Sequence, residues 1–326
     1  MSNHTVPVFV YSLPRSGSTL LQRILSAHSQ VSTASETWAL LPQVYALKET
    51  GVYSEYQHYF SCQALNDFIT TLPGKKDDYV RHLRAFMLAL YHDAANGQGR
   101  YFIDKTPRYH LIVNEIIDMF PDAKHIFLWR NPLSIIASMI DTWGNGSWNI
   151  YKYNIDLLKG FPGLIDAYIR NRDQVYSLLY ENLVSDLEDE LSGLLEYLGL
   201  DHEKEVMSGH VKVQLEGSMG DPTGSELYTE VSDEALTKWK SIITSPLRKR
   251  WCRNYINMIG ADSFHTVGYN IETLLSELDR QPASARTLPG DIVFMSIGLL
   301  YNIIEPHIFL DKIRMISRKQ PVYVNR

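Results

Sequence analysis

The chain has 326 residues, of which 45% are hydrophobic, and its formal net charge is -6. This length can bury a large core in one large domain or two small ones, and the acidic balance without a long basic block before the last residues argues against nucleic acid as a partner. Cys62 and Cys252 lie too far apart for a metal-ligand motif or a disulfide framework, so a reducing cytoplasm fits best.

The sequence contains no segment that predicts a membrane protein. No basic segment precedes the first apolar run, as it does in a signal peptide. The most apolar later run, residues 292–304, is interrupted by polar residues and is shorter than the roughly 20 residues of a spanning helix. We therefore expect a cytoplasmic protein with no membrane span.

The first predicted element is a buried strand at residues 8–10, which a turn of small residues joins to a helix. Such a turn presents free backbone N–H groups at a helix N-terminus, where the helix dipole also favours an anion. The helix is indicated by apolar residues at helical spacing, which are Leu20, Leu21, Ile24 and Leu25. The candidate anion-binding residues of the turn are Arg15, Ser16, Gly17, Ser18 and Thr19.

This turn differs from the P-loop of nucleotide hydrolases, G-x-x-x-x-G-K-[ST]. Ser12 and Ser18 stand where a P-loop has its first Gly and its Lys. An ordinary strand-to-helix turn is the competing interpretation, and Arg15 within the turn favours the anion site. We expect phosphate or sulfate there, and nucleotide hydrolysis is not the first choice.

Glu36, in the SETW segment after the first helix, has two interpretations. It is either a capping residue, in the first turn of a short helix that Thr33 or Ser35 caps, or a general base near the turn. From the residues alone, capping is favoured, because carboxylates are common in first turns. Residues 39–100 then form a predicted helical insertion, rich in aromatic residues, between the first two predicted strands. Such an insertion can cap a binding cleft.

A second strand is predicted at residues 101–104, and Lys105 and Arg108 follow it. Open α/β sheets bind ligands at the carboxyl ends of their strands. Lys105 is therefore a candidate ligand-binding residue, although an exposed loop cation is the ordinary alternative.

A third strand at residues 125–129 leads through Arg130 into a helix that Asn131 caps. Ser138 lies two turns into this helix, eight residues after Arg130. An Arg at a strand end and a Ser on the following helix predict a second anion site.

The remaining pattern completes an α/β fold. The Trp-rich residues 142–161 resemble a lid or an acceptor loop, with plain surface packing as the alternative. Residues 175–180 form a fourth predicted strand. A capping box of Ser185 and Glu188 begins a leucine-rich helix that ends at Gly199. The alternation of strands and helices predicts a parallel sheet with helices on both faces.

The chain is expected to contain a catalytic domain at residues 1–280 and an extension at residues 281–326. The extension begins with a linker and continues as helices, which we expect to dock on their own domain. It is also the first place to expect a contact between two copies of the chain.

Several segments together resemble a known family. LPRSGSTLL, SETW, DKTPRY, FLWRNPLSIIASM, LLYENL and GDPTG occur between residues 7 and 270. In this order they resemble the sulfotransferases that use 3'-phosphoadenosine 5'-phosphosulfate (PAPS), especially the bacterial and tyrosylprotein-like branches. The resemblance implies a P-loop-like α/β fold, transfer of a sulfuryl group and release of 3',5'-adenosine bisphosphate (PAP).

The resemblance also implies roles for individual residues. In the family the first turn binds the 5'-phosphosulfate, which implies this role for residues 15–19. An Arg followed eight residues later by a Ser binds the 3'-phosphate, and this pair matches Arg130 and Ser138. The Tyr of the YE-x-L segment lies near the adenosine, which implies Tyr180. EALTKWK resembles a segment whose lysine reaches the cofactor, so Lys238 is a further candidate.

The family resemblance changes the interpretation of Glu36. Cytosolic small-molecule sulfotransferases read K-T-H after the second strand and use that His as the base, whereas this chain has Pro107 there. The tyrosylprotein-like branch places a Glu shortly after the first helix, and Glu36 matches it. The resemblance therefore implies that Glu36 is the base, with His110 as the alternative. Arg15 and Lys105 would stabilise charge on the transferred group, and no metal is required.

The acceptor is open at this stage. We expect a small-molecule or carrier-bound acceptor, such as a natural product, with a hydroxyl or an amine as the attacking group. The alternatives are a nucleotide-dependent kinase and a non-catalytic nucleotide-binding protein whose residues 281–326 serve as an interaction arm.

Overall fold

A five-stranded parallel sheet forms the centre of the computed structural model, which describes residues 5–48, 58–96, 99–203, 206, 234–304 and 306–318. The strands are β1 (Val6–Tyr11), β2 (Val31–Thr33), β3 (Tyr101–Asp104), β4 (Lys124–Trp129) and β5 (Tyr176–Leu179). Their order in the sheet is β2-β3-β1-β4-β5. Phe9 of β1 aligns with Asp104 of β3 on one side and with His125 of β4 on the other. The carboxyl ends of β3, β1 and β4 therefore lie at one edge of the sheet.

Helices make up most of the remaining described chain. In the first two thirds of the sequence they are α1 (Ser18–Ser26), α2 (Leu40–Tyr45), α3 (His58–Thr70), α4 (Lys75–Ala94), α5 (Val113–Met119), α6 (Pro132–Gly144), α7 (Phe161–Asn171), α8 (Tyr180–Ser185) and α9 (Leu187–Leu198). The later helices are α10 (Glu234–Thr237), α11 (Trp239–Ile242), α12 (Pro246–Ile259), α13 (Ala261–Thr266), α14 (Ile271–Arg280), α15 (Leu288–Ile304) and α16 (Pro306–Ser317). Shorter turns are 3-10 helical at Pro107–Leu111, Ile150–Tyr153 and Arg172–Gln174, and π-helical at Ile155–Gly160.

The sheet is buried on both faces, because side chains alternate across each strand. Phe9 and Tyr11 of β1 belong to a core that includes residues of α5, α6 and α7. Val8 and Val10 belong to a second core with residues of α1 and α9. Near-continuous apolar strands are typical of parallel sheets that helices cover on both sides. The predicted α/β fold is therefore confirmed.

The structure differs from the sequence predictions at two local features. β2 was not predicted, because three residues are too few to show a periodicity, yet Val31 pairs with Tyr101 of β3. The helical insertion therefore lies between β2 and β3. The predicted capping box is also absent, because the Ser185 hydroxyl donates to the Glu181 carbonyl and Asp186 occupies the N-cap of α9.

The predicted lid at residues 142–161 is a packed segment. α6 extends to Gly144, and the next residues form the 3-10 and π-helical turns named above. Trp148 is buried and its ring lies 5.5 Å from that of Trp251, centroid to centroid. At least one aromatic residue of this segment therefore packs in the protein interior.

The C-terminal extension is docked through a buried ion pair. Asp291 of α15 accepts from Nε of Arg248 on α12 at 2.9 Å, and both side chains are buried. Because a buried charge is costly unless it is paired, this contact fixes α15 against α12. The division of the chain at residue 280 and a contact between copies stay predictions. No helix in the described ranges is long and apolar enough to cross a membrane.

His125 provides a test of the packing around the sheet. Its ring is nearly parallel to the rings of Phe9 and Tyr11, whose centroids lie 5.7 and 5.9 Å away. Nε2 lies 3.1 Å from the Phe120 carbonyl, and Nδ1 lies 2.9 Å from the Tyr11 hydroxyl. Burial lowers the pKa of His125 from 6.5 to about 4. The unfolded chain therefore binds a proton at this residue that the folded chain does not, between the two pKa values.

The stability that neutral His125 provides is present above its unfolded pKa and is lost as the pH falls toward its folded pKa. We expect this group to lower the free energy of unfolding by about 2 kcal/mol between pH 7 and pH 5. His125→Gln, which does not titrate, should remove that part of the pH dependence in urea-unfolding measurements. The same pH dependence in both proteins would contradict the prediction.

Candidate active site

The turn between β1 and α1 has the backbone of an anion site. Arg15 and Gly17 both adopt positive φ, at 70° and 88°, which folds the chain tightly before α1 begins at Ser18. Gly17 is the N-cap of this nine-residue helix and provides no side-chain cap. The first N–H groups of a helix have no acceptor within the helix, so they are available to an anion.

Tyr180 closes one side of this turn. Its buried ring lies so close to Gly17 that a Cβ at that position would be 2.3 Å from the ring carbons. The Arg130 guanidinium lies over the same ring, 4.3 Å from its centroid. Tyr180 is the first residue of α8, directly after β5. The structure thus brings Tyr180, Gly17 and Arg130 together.

The two predicted anion sites are adjacent. Nε of Arg15 donates to the Ser138 hydroxyl at 3.1 Å, and an Arg130 NH group donates to the Arg15 carbonyl at 2.7 Å. Among the described residues, three buried polar atoms at this edge have no hydrogen-bond partner: Arg130 Nε, Ser12 Oγ and Ser134 Oγ. Unsatisfied buried donors are costly, so these atoms fit a site that an anionic ligand completes.

Lys238 lies at the periphery of this region. Its Nζ is 2.7 Å from Asp141 of α6, one turn beyond Ser138, and both side chains are about half exposed. Lys238 is therefore near the second anion site. The loop at residues 216–228, which contains the GDPTG segment, lies outside the described residues.

Glu36 and Lys105 form a buried pair beside the turn at residues 15–19, which we call the anion turn. Lys105 follows β3 and is 1% exposed, and its Nζ donates to Glu36 Oε1 at 2.9 Å. The same Nζ lies 3.4 Å from the Thr19 hydroxyl on α1. Glu36 retains 12% exposure and also accepts from the indole N–H of Trp38 at 3.3 Å. A carboxylate, an ammonium group and the anion turn therefore meet in one place.

The capping interpretation of Glu36 is wrong. Glu36 precedes α2 by four residues, and Ala39 occupies the N-cap of that helix. Glu36 instead belongs to an irregular segment between β2 and α2. Its neighbour Trp38 has a positive φ of 55°, and the Trp38 backbone N–H donates to the Thr106 hydroxyl at 3.1 Å.

A buried hydrogen-bond network holds this segment from behind. Asp104 accepts from the Thr37 hydroxyl at 2.7 Å, from Tyr91 at 2.6 Å and from Tyr109 at 3.0 Å. Burial raises the pKa of Asp104, and the three hydroxyl donors oppose this increase. Because Thr37 adjoins Glu36 and Asp104 adjoins Lys105, the network fixes both members of the pair. Sequence reasoning missed Asp104, which resembles an ordinary strand end.

His110, the alternative base, has a different environment. It is buried, and its Nε2 lies 2.7 Å from Asp156 Oδ1, an oxygen that Arg108 also contacts at 3.2 Å. Gly160 packs directly against the His110 ring. The structure thus pairs His110 with Asp156 and places Glu36 next to Thr19 of the anion turn.

The chain is similar to known proteins of one family. The model described as "Sulfotransferase family" covers residues 7–204. The nodulation protein NoeE of Sinorhizobium fredii (strain NBRC 101917 / NGR234) is 27% identical in an alignment 286 residues long, which covers 80% of this chain and 65% of that protein. Protein-tyrosine sulfotransferase 2 of Gallus gallus is 24% identical in an alignment 246 residues long, which covers 71% of this chain and 62% of that protein. The chain spans less than two thirds of either relative.

Solved structures support the same fold. The sulfotransferase domain from the curacin biosynthetic pathway has 20% sequence identity to the chain and a TM-score of 0.50. The similarity covers 85% of this chain and 98% of that domain. At this identity the similarity concerns the fold, which agrees with the P-loop-like sheet that the resemblance implied.

Gly17→Ala tests the contact between the turn and Tyr180. An added Cβ would clash with the Tyr180 ring, whereas one at Gly146, which also has a positive φ, would meet nothing within 4 Å. We expect Gly17→Ala to lower the free energy of unfolding by about 1–3 kcal/mol more than the matched Gly146→Ala. Chemical denaturation measures this difference. Equal losses would contradict the close packing of Tyr180 on the turn.

Proposed function

Because the chain belongs to the sulfotransferase family, we propose that it transfers a sulfuryl group from PAPS to a hydroxyl or amine of a small organic acceptor, with Glu36 as the base. The observation that carries this proposal is the contact of Lys105 with both Glu36 and Thr19. This contact supports the proposal, because the candidate base and the candidate sulfate site share one ammonium group.

We propose that the anion turn and the second anion site hold the two ends of PAPS. The turn, residues 15–19, would hold the phosphosulfate through its N–H groups, hydroxyls and Arg15. Arg130 and Ser138 would hold the 3'-phosphate, and the unsatisfied Arg130 Nε supports this role. Tyr180 would pack near the adenosine, and Lys238 would approach from the edge. The contact of Arg15 with Ser138 supports a single nucleotide across both sites.

When bound, PAPS supplies a sulfuryl group whose bond to the phosphate oxygen breaks as the acceptor oxygen or nitrogen attacks the sulfur. Glu36 accepts the proton that the attacking group loses. Lys105 orients the Glu36 carboxylate and, with Arg15 and the N–H groups of the turn, stabilises the negative charge that develops on the transferred group and the leaving phosphate. These residues supply the positive charge for the step, so the proposal requires no metal.

The acceptor is proposed to be a natural product or a carrier-bound intermediate. By their names, the curacin domain belongs to a biosynthetic pathway and NoeE is a nodulation protein, and an acceptor made by biosynthesis agrees with the former. Tyr91 of the aromatic-rich insertion donates to Asp104 behind the site, so the insertion packs next to the place proposed for a mid-sized organic acceptor. Cytoplasmic action is part of the proposal, because both cysteines are free and buried.

Glu36→Gln tests the base directly. We expect the turnover number to fall about 10²–10⁴-fold, because the amide cannot accept the proton, with the affinity for PAP unchanged within about twofold. Lys105→Ala should lower turnover by about 100–1000-fold. Transfer of labelled sulfate from PAPS to a panel of phenols, alcohols and amines measures turnover, and calorimetry measures PAP binding.

Glu115→Gln is the matched control, because Glu115 lies on α5 and pairs with Lys48 at the surface. It should leave both quantities unchanged. Undiminished transfer by Glu36→Gln would contradict the proposed base, and a loss confined to His110→Gln would assign the base to His110. A loss of PAP affinity equal to the loss of turnover would make Glu36 a structural residue.

A further inference from the structure

A cavity lies beside the C-terminal extension. It has a volume of about 680 Å³ and lies between α12, α15 and the segment 148–158. Its wall includes none of the residues proposed to bind PAPS or to catalyse transfer. Cavities of about 300–1,000 Å³ are typical of sites for small organic ligands.

The segment 150–160 separates this cavity from the turn that follows Lys105. Asp156 and Gly160 pack against His110 of that turn. Tyr151 and Leu158 line the cavity instead. Since these two pairs belong to different faces of one packed segment, the cavity is a separate site from the candidate active site.

Aromatic and aliphatic side chains line most of the cavity, including Trp148 and Trp251. The apolar surface continues to the rim, where Leu158 is 43% exposed, Met258 56% and Leu299 69%. Clustered apolar side chains that remain exposed around a concave site mark a place where an apolar ligand gains from leaving water.

The guanidinium of Arg250 faces this apolar site and is unpaired within the described part of the chain. Arg250 of α12 lines the cavity and makes no ion pair or hydrogen bond with another described residue. The other cations of α12 are all engaged: Arg248 with Asp291, Lys249 with the Gln281 carbonyl, and Arg253 with Asp279. A free guanidinium at an apolar cavity suits a carboxylate or sulfate group.

We propose that this cavity binds an amphipathic anion, an apolar chain or ring system that carries one carboxylate or sulfate group. The apolar part lies against Trp148 and Trp251, and the anionic group pairs with Arg250. Asn254, one turn further along α12, supplies a hydrogen-bond donor at the same wall.

Calorimetric titration of the full chain with decanoate and with decanol, both below their aggregation limits and with PAP present, tests the proposal. We expect decanoate to bind more tightly than decanol. Arg250→Ala should weaken decanoate binding roughly three- to tenfold and leave decanol binding unchanged. Arg253→Ala, which removes a cation of the same helix outside the cavity wall, is the matched control and should change neither.

Leu299→Asp should weaken the binding of both probes, because it places a charge on the apolar rim. Equal affinity for the two probes, or decanoate binding that does not depend on Arg250, would overturn the anion site. Failure of both probes to bind, together with a dimeric mass that Leu299→Asp reduces to the monomer, would identify the surface as a contact between copies and also overturn the proposal.

Discussion

The ion pair between Lys105 and Glu36 joins three parts of the chain that are distant in sequence. Lys105 follows β3, Glu36 lies between β2 and α2, and Thr19 on α1 contacts the same ammonium group. Both charged side chains are largely buried, and a buried charge without its partner is strongly destabilising. The segment around Glu36 belongs to no helix or strand, and the pair fixes it against the anion turn.

The hydrogen bonds that hold this pair in place also connect the helical insertion to the site. Tyr91 of α4 and Tyr109 both donate to Asp104, the residue before Lys105. Thr37, the residue after Glu36, donates to the same carboxylate. The insertion is thus connected to the candidate base through one buried acceptor. Polar networks that satisfy every member in this way hold side chains in one arrangement, as a catalytic geometry requires.

The sequence predicted the parts of the structure that depend on local signals. Apolar runs indicated four strands, and Asn131 caps α6 as expected. β2 was missed because three residues show no periodicity. Glu36 was assigned to the first turn of a helix because a Ser or Thr followed by an acidic residue is typical of a helix N-terminus. The site depends on contacts over long separations, such as Glu36 with Lys105, 69 residues apart, and Arg15 with Ser138, 123 residues apart. Only the resemblance of whole motifs indicated that such residues belong together.

Calorimetric titration with PAP, in the presence of a metal chelator and with ATP for comparison, tests most directly whether the anion turn and the Arg130 site hold one nucleotide. A site of this kind should bind PAP tightly without metal and prefer it to ATP. It should lose that affinity in Arg130→Ala and weaken in Ser138→Ala. No binding of PAP, or binding of ATP only with magnesium, would contradict PAPS as the donor.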